Sequence, residues 1–105
     1  AAGPDTAIVT MSYYNPVPYC ALGQGNPLAG MFVDLVLEGG SLAGFTLPVG
    51  LNDLIRGISA ANGAVVAEAY GALGEGDFVG GTDCLHPTLS GHTKIAAAFA
   101  AAYAG

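Results

Sequence analysis

The sequence predicts an α/β fold with parallel strands, on three observations. Two β-rich apolar runs, residues 7–14 and 64–69, lie far apart in the chain. Helical apolar periods fill the interval between them. A further helical pattern follows the second run and reaches the end of the sequence. Alternation of this kind implies right-handed crossovers and a parallel sheet.

The first run, Ala-Ile-Val-Thr-Met-Ser-Tyr-Tyr, follows the turn formers Gly3, Pro4 and Asp5 and is almost continuously apolar, as buried parallel strands are. Asn15 and Pro16 end it, and the stretch to Gly25 reads as loop. A helix starts with Asn26 as N-cap and Pro27 in its first turn. Leu28, Met31, Phe32, Leu35 and Val36 keep the helical period until Gly39 and Gly40 stop it. Residues 41–50 show no period and read as loop. Leu51, Leu54, Ile55 and Ile58 then mark a clearer amphipathic helix, ended by Asn62 and Gly63.

Val65 and Val66 centre the second strand. Residues 71–82 form a loop rich in glycine and acid, in which Glu75 and Asp77 read as solvated. The last helix spans about residues 89–103, capped by Thr88, with Ile95, Ala98, Phe99 and Ala102 on one face. Two parallel strands do not make a viable sheet, because both faces and both edges need cover. The chain is therefore expected to complete its sheet with other strands.

Composition leaves two readings open. Of 105 residues only ten are charged, apolar residues make up 52%, and mean hydropathy is +0.54. An independent domain usually carries about 25% charged residues. An Ala- and Gly-rich exported protein and a surface that belongs inside something larger both account for this. Net charge is −6, with Arg56 and Lys94 the only cations. Nucleic-acid partners are excluded on that ground, because neutralising phosphates needs clustered Lys and Arg. No apolar run approaches the ~18 residues of a membrane span, so no membrane insertion is expected.

Cys20 and Cys84 are too few for a disulfide scaffold and form no C-x-x-C pair. They are either two unrelated buried thiols or one bridge in an exported, extracellular protein. Both follow strands whose carboxyl ends face one side of the sheet, and on that topology the bridge is expected.

The chemistry centres on Asp83 and His86. An Asp three residues before a His can hold one imidazole nitrogen and leave the other free to take a proton from a serine hydroxyl. Pro87 biases His86 toward extended backbone and stiffens the base just before a helix. A metal reading through Asp83, His86 and His92 lacks a fourth ligand. Calcium at Glu75, Asp77 and Asp83 lacks EF-hand spacing. Tyr13, Tyr14 and Tyr19 cluster past the first strand, where open sheets bind ligands, so Tyr13 and Tyr14 are candidate substrate-binding residues.

The block Asp83-Cys84-Leu85-His86-Pro87-Thr88-Leu89-Ser90-Gly91-His92, followed by an Ala-rich helix, resembles the last sequence block of the SGNH, or GDSL-type, serine hydrolases. The order of the two strands and the helix before the second strand resembles the end of that domain as well. The resemblance implies a three-layer α/β/α, flavodoxin-like hydrolase fold, with residues 1–105 supplying only its last two parallel strands and their helices. It implies an esterase or lipase acting on small-molecule esters through a Ser-His-Asp triad, with Asp83 as acid, His86 as base and no cofactor.

The sequence departs from the family in having no G-D-S-L-like block for the nucleophile. The oxyanion-hole blocks would also lie upstream. Gly50-Leu51-Asn52-Asp53 spells the family's G-x-N-D pattern, but it falls after the strand it should precede and reads as a helix start. Ser12, Ser59 and Ser90 lack a nucleophile's setting, Ser41 in a glycine-flanked loop is the remaining candidate, and His92 reads as structural. A partner is thus expected: the absent N-terminal segment, or a second copy completing the sheet. The alternative is a non-catalytic fragment that self-associates through its open edge.

Overall fold

A computed structural model of the chain describes residues 6–104, so the turn assigned to Gly3, Pro4 and Asp5 lies outside the described residues. The fold is mixed α/β. Strand β1 (Val9–Met11) pairs parallel with β4 (Val65–Ala67), in the register Val9 with Val65 and Met11 with Ala67. Between them lie helix α2 (Pro27–Glu38) and helix α3 (Leu51–Ala61), and helix α4 (Leu89–Ala104) follows. The apolar runs and helical periods thus become the expected elements, and the two long-range strands are parallel.

The segments read as loop hold more structure than their patterns show. Residues 41–50 contain a hairpin of β2 (Gly40–Leu42) and β3 (Phe45–Leu47), turned at Ala43 and Gly44, both with positive φ. Helix α1 (Ala21–Gly25) follows a 3-10 turn at Val17–Tyr19. Strand β5 (Phe78–Gly80) occupies the acidic loop and pairs antiparallel with β6 (Asp83–Pro87). The physical reason is common to these cases. These elements of three to five residues lie outside any longer continuous apolar run of the kind that holds β1 and β4, and so display no period.

Asp77 is also corrected. Far from solvated, it is only 3% exposed. Its Oδ1 accepts from Ser90 Oγ at 2.7 Å, and its Oδ2 from Gly74 N at 2.8 Å and Lys94 Nζ at 2.6 Å. Its carbonyl accepts from Thr88 N at 2.8 Å. These contacts fasten the start of α4 to the β5–β6 hairpin. Gly91 permits the approach, since a Cβ there would meet Asp77 O and lie 2.8 Å from Pro87 Cβ.

Asn26 holds the N-cap position of α2 without a side-chain capping bond. The start of α3 is capped from inside the helix, Gly50 N donating to Asp53 Oδ2 at 3.0 Å. Arg56 on the same helix reaches Glu38, Asp53 and Glu68. The neighbouring carboxylates raise the Arg56 guanidinium further, and Arg56 in turn pulls Glu68 below the ordinary carboxylate range.

The core is thin. Its buried apolar residues are Cys20, Leu35, Leu37, Ala67, Ala69, Leu73 and Phe78. Exposed large apolar residues outnumber them, and they run in stripes: Leu28, Met31, Phe32 and Val36 on α2, and Leu51, Leu54 and Ile58 on α3. Helix α3 turns its apolar ridge outward and buries Asn52 and Ser59 instead. Asn52 takes Tyr13 N at 2.7 Å and donates to Tyr13 O at 3.0 Å and Glu38 Oε2 at 2.8 Å. Ser59 shares a 2.8 Å hydrogen bond with Thr10 of β1. The molecule is a slab of 48 × 35 × 20 Å with a radius of gyration of 15.2 Å, against roughly 13 Å for a compact domain of this length.

Candidate active site

Asp83 opens β6 just after the turn at Gly81, whose carbonyl accepts from Ala21 N at 2.8 Å. The next residue, Cys84, is bridged to Cys20, with a Cα separation of 5.2 Å. The expected disulfide is therefore formed, and Cys20 is fully buried. Three residues after the bridge, Pro87 is buried and leads into the Asp77-anchored start of α4. The Asp83–His86 segment is thus held at both ends, by a covalent bond on one side and by the Asp77 cluster on the other.

Within that frame the two side chains meet. His86 Nδ1 lies 2.9 Å from Asp83 Oδ2. The other oxygen, Oδ1, accepts the backbone N–H groups of His86 and Leu85, each at 2.9 Å. Those two backbone donors, His86 first, hold the Asp83 carboxyl below the usual carboxylate range, and the His86 ring adds to the effect. One oxygen is thereby fixed by the main chain, and the second is left to orient the imidazole. The His86 side chain is 69% exposed, and its Nε2 has no hydrogen-bond partner among the described residues. An imidazole held at Nδ1 and open at Nε2 can take a proton from a hydroxyl brought to it.

None of the four serines supplies that hydroxyl within hydrogen-bond reach. Ser12 is buried and accepts Tyr70 N, and Ser59 is buried against Thr10. Ser41 bonds Thr46, and Ser90 is committed to Gly76 and Asp77. Gly50-Leu51-Asn52-Asp53 opens α3 as its sequence position suggests, with Asn52 engaged by Tyr13 and Glu38. His92 differs from its expected packing or capping role. The residue is exposed. Thr88 does act as a cap, its Oγ1 accepting Gly91 N at 3.4 Å.

The tyrosines divide. The Tyr13 ring is exposed and its backbone is fixed by Asn52. Tyr14 adjoins the dyad, its hydroxyl donating to Leu85 O at 3.3 Å. Burial first, and then Tyr13 and Asp83, push the Tyr14 phenol up. Tyr14 also lines a cleft of about 200 Å³ with Asn15, Tyr19, Asp34 and Tyr70. Asp34 and Tyr70 were not among the residues singled out by sequence, since positions 14, 34 and 70 share no motif. Among the described residues no group of three His, Cys, Asp or Glu could hold a metal ion, and no helix is long and apolar enough to cross a membrane.

No protein-family model, no curated protein and no solved structure matches the chain.

Proposed function

We propose that the chain carries the acid and base of a serine ester hydrolase, with His86 as general base and Asp83 as the residue that orients it. The observation that carries this reading is the 2.9 Å contact between His86 Nδ1 and Asp83 Oδ2, with Nε2 left open. A serine supplied by another segment would give up its proton to Nε2 as it attacks an ester carbonyl. Asp83 would stabilise the imidazolium that results. Within this reading the fold is the last part of a three-layer, flavodoxin-like hydrolase. The protein is exported to an oxidising compartment, where the Cys20–Cys84 bridge persists.

The test is hydrolysis of a short-chain nitrophenyl ester by the complete protein or complex. His86→Ala should abolish turnover, and His92→Ala should leave it near wild type. Wild-type turnover in His86→Ala would falsify the assignment.

A second reading, self-association without catalysis, is favoured by the sheet itself. Among the described residues β1 pairs only with β4, so its other edge is open. The apolar stripes of α2 and α3 are exposed as well. Light scattering decides here: a monomer that unfolds in one cooperative transition rules this reading out.

A further inference from the structure

We propose that the cleft lined by Tyr14, Asn15, Tyr19, Asp34 and Tyr70 binds a small organic ammonium ion. The cleft combines three aromatic rings with one carboxylate. Asp34 accepts from Asn15 Nδ2 at 2.9 Å and from the Tyr70 hydroxyl at 2.9 Å, both on Oδ1. Its Oδ2 has no partner, and no Lys, Arg or His forms an ion pair with it, among the described residues. The carboxylate is therefore positioned by neutral donors and left without a counter-ion.

The rings are fixed as well. Tyr19 stacks on Phe78 at 5.3 Å and 14°, and Tyr14 packs on the same ring at 5.4 Å. Preset aromatic walls with a negative group are the arrangement that attracts a weakly hydrated cation through ring quadrupole and charge. Burial, followed by the hydrogen bond and charge of Asp34, pushes the Tyr70 phenol up to about 12.

Other ligand classes fit less well. An anion would meet Asp34 with no cationic side chain on the lining. A calcium-like ion takes 6–8 oxygen ligands, yet Asn15 Oδ1 is committed to Val17 N and the Tyr14 hydroxyl to Leu85 O. The net charge of −6 adds a general attraction for cations. If the dyad is hydrolytic, Tyr14 links cleft and base, and the site would take the ammonium end of an ester. That further role rests on the hydrolase reading, whereas cation binding does not.

The experiment is a titration of the full chain with tetramethylammonium chloride, followed by NMR of the tyrosine ring protons. Sodium chloride at equal ionic strength and neopentyl alcohol, a neutral molecule with a similar quaternary centre, serve as comparisons. Saturable shifts of the Tyr14 and Tyr70 signals are expected with the ammonium ion alone. Asp34→Asn and Tyr14→Leu should each weaken binding at least tenfold, and His86→Ala should leave it unchanged. The last result separates this site from the fate of the dyad. The wild-type spectra alone test the proposal should a variant fail to fold. Absence of saturable ring shifts, equal binding of neopentyl alcohol, or undiminished binding in both cleft variants overturns it.

Discussion

Lys94 Nζ lies 2.6 Å from Oδ2 of Asp77, joining a half-exposed ammonium to a carboxylate that is almost completely buried. Lys94, then Gly74 N and Ser90 Oγ, lower Asp77 from 3.8 to about 2. A depressed carboxyl pKa contributes stability that is complete above the unfolded value and is lost as pH falls through the folded one. The Tm of the wild type should therefore fall as pH drops from about 4 towards 2. Asp77→Asn should lower Tm most at neutral pH, and its difference from wild type should shrink as pH falls through about 2. A constant difference across that range in thermal melts would contradict the assignment.

The Cys20–Cys84 bridge spans a sequence separation of 64 residues. Closing a loop of that size restricts the unfolded chain and typically stabilises by about 2–4 kcal/mol. The Cys20→Ser/Cys84→Ser double variant should lose that amount in urea melts. Thiol titration of the denatured, unreduced wild type should find none.

Asn52 is fully buried and saturates both backbone groups of Tyr13 as well as Glu38. Asn52→Ala would leave the backbone N–H and C=O of Tyr13 without their partner, while Glu38 keeps Arg56, at a cost of roughly 1–3 kcal/mol. Asn52→Asp keeps an acceptor for Tyr13 N but sets a charge against Glu38, and should be at least as damaging. Equilibrium denaturation ranks the two.

Asp83→Asn tests the division of labour in the dyad. The amide oxygen can still accept the backbone N–H groups of Leu85 and His86, so the segment should stay folded. The charge opposite the imidazole is lost, and with it the stabilisation of imidazolium. Ester turnover, where present, should fall steeply yet stay above that of His86→Ala. Equal loss in the two variants would make Asp83 as indispensable as the base.

Much of this was legible in the sequence where long patterns exist. Leu51, Leu54, Ile55 and Ile58 announced α3, and the apolar run centred on Val65 and Val66 announced the strand that pairs with β1. Asp83 and His86 were legible as a pair because the spacing is local and Pro87 constrains it. The hairpin turned at Ala43 and Gly44 was not, because its three-residue strands are broken by Ser41 and Thr46 and lie in no continuous apolar run; a two-residue turn between short apolar runs was the available signal. Nor was the cleft, because Asp34 meets Tyr70 and Asn15 only through tertiary packing. The burial of Asp77 was hidden for the same reason, since its partners Ser90 and Lys94 lie on α4. For α3, periodicity established a stripe without saying which side the chain would cover.

That orientation has a thermal consequence. Helix α3 is held by the amide of Asn52 and the hydroxyl of Ser59, while Leu51, Leu54 and Ile58 already face water in the folded chain. Heat capacity rises on unfolding because apolar surface becomes hydrated, by about 12–15 cal/mol/K per residue in ordinary domains. A helix that hides polar groups and shows its leucines contributes little to that increment. The uncovered chain should melt with a heat-capacity change below the norm for its length, and its stability should vary only gently with temperature. Any partner that covers the ridge would restore the missing curvature.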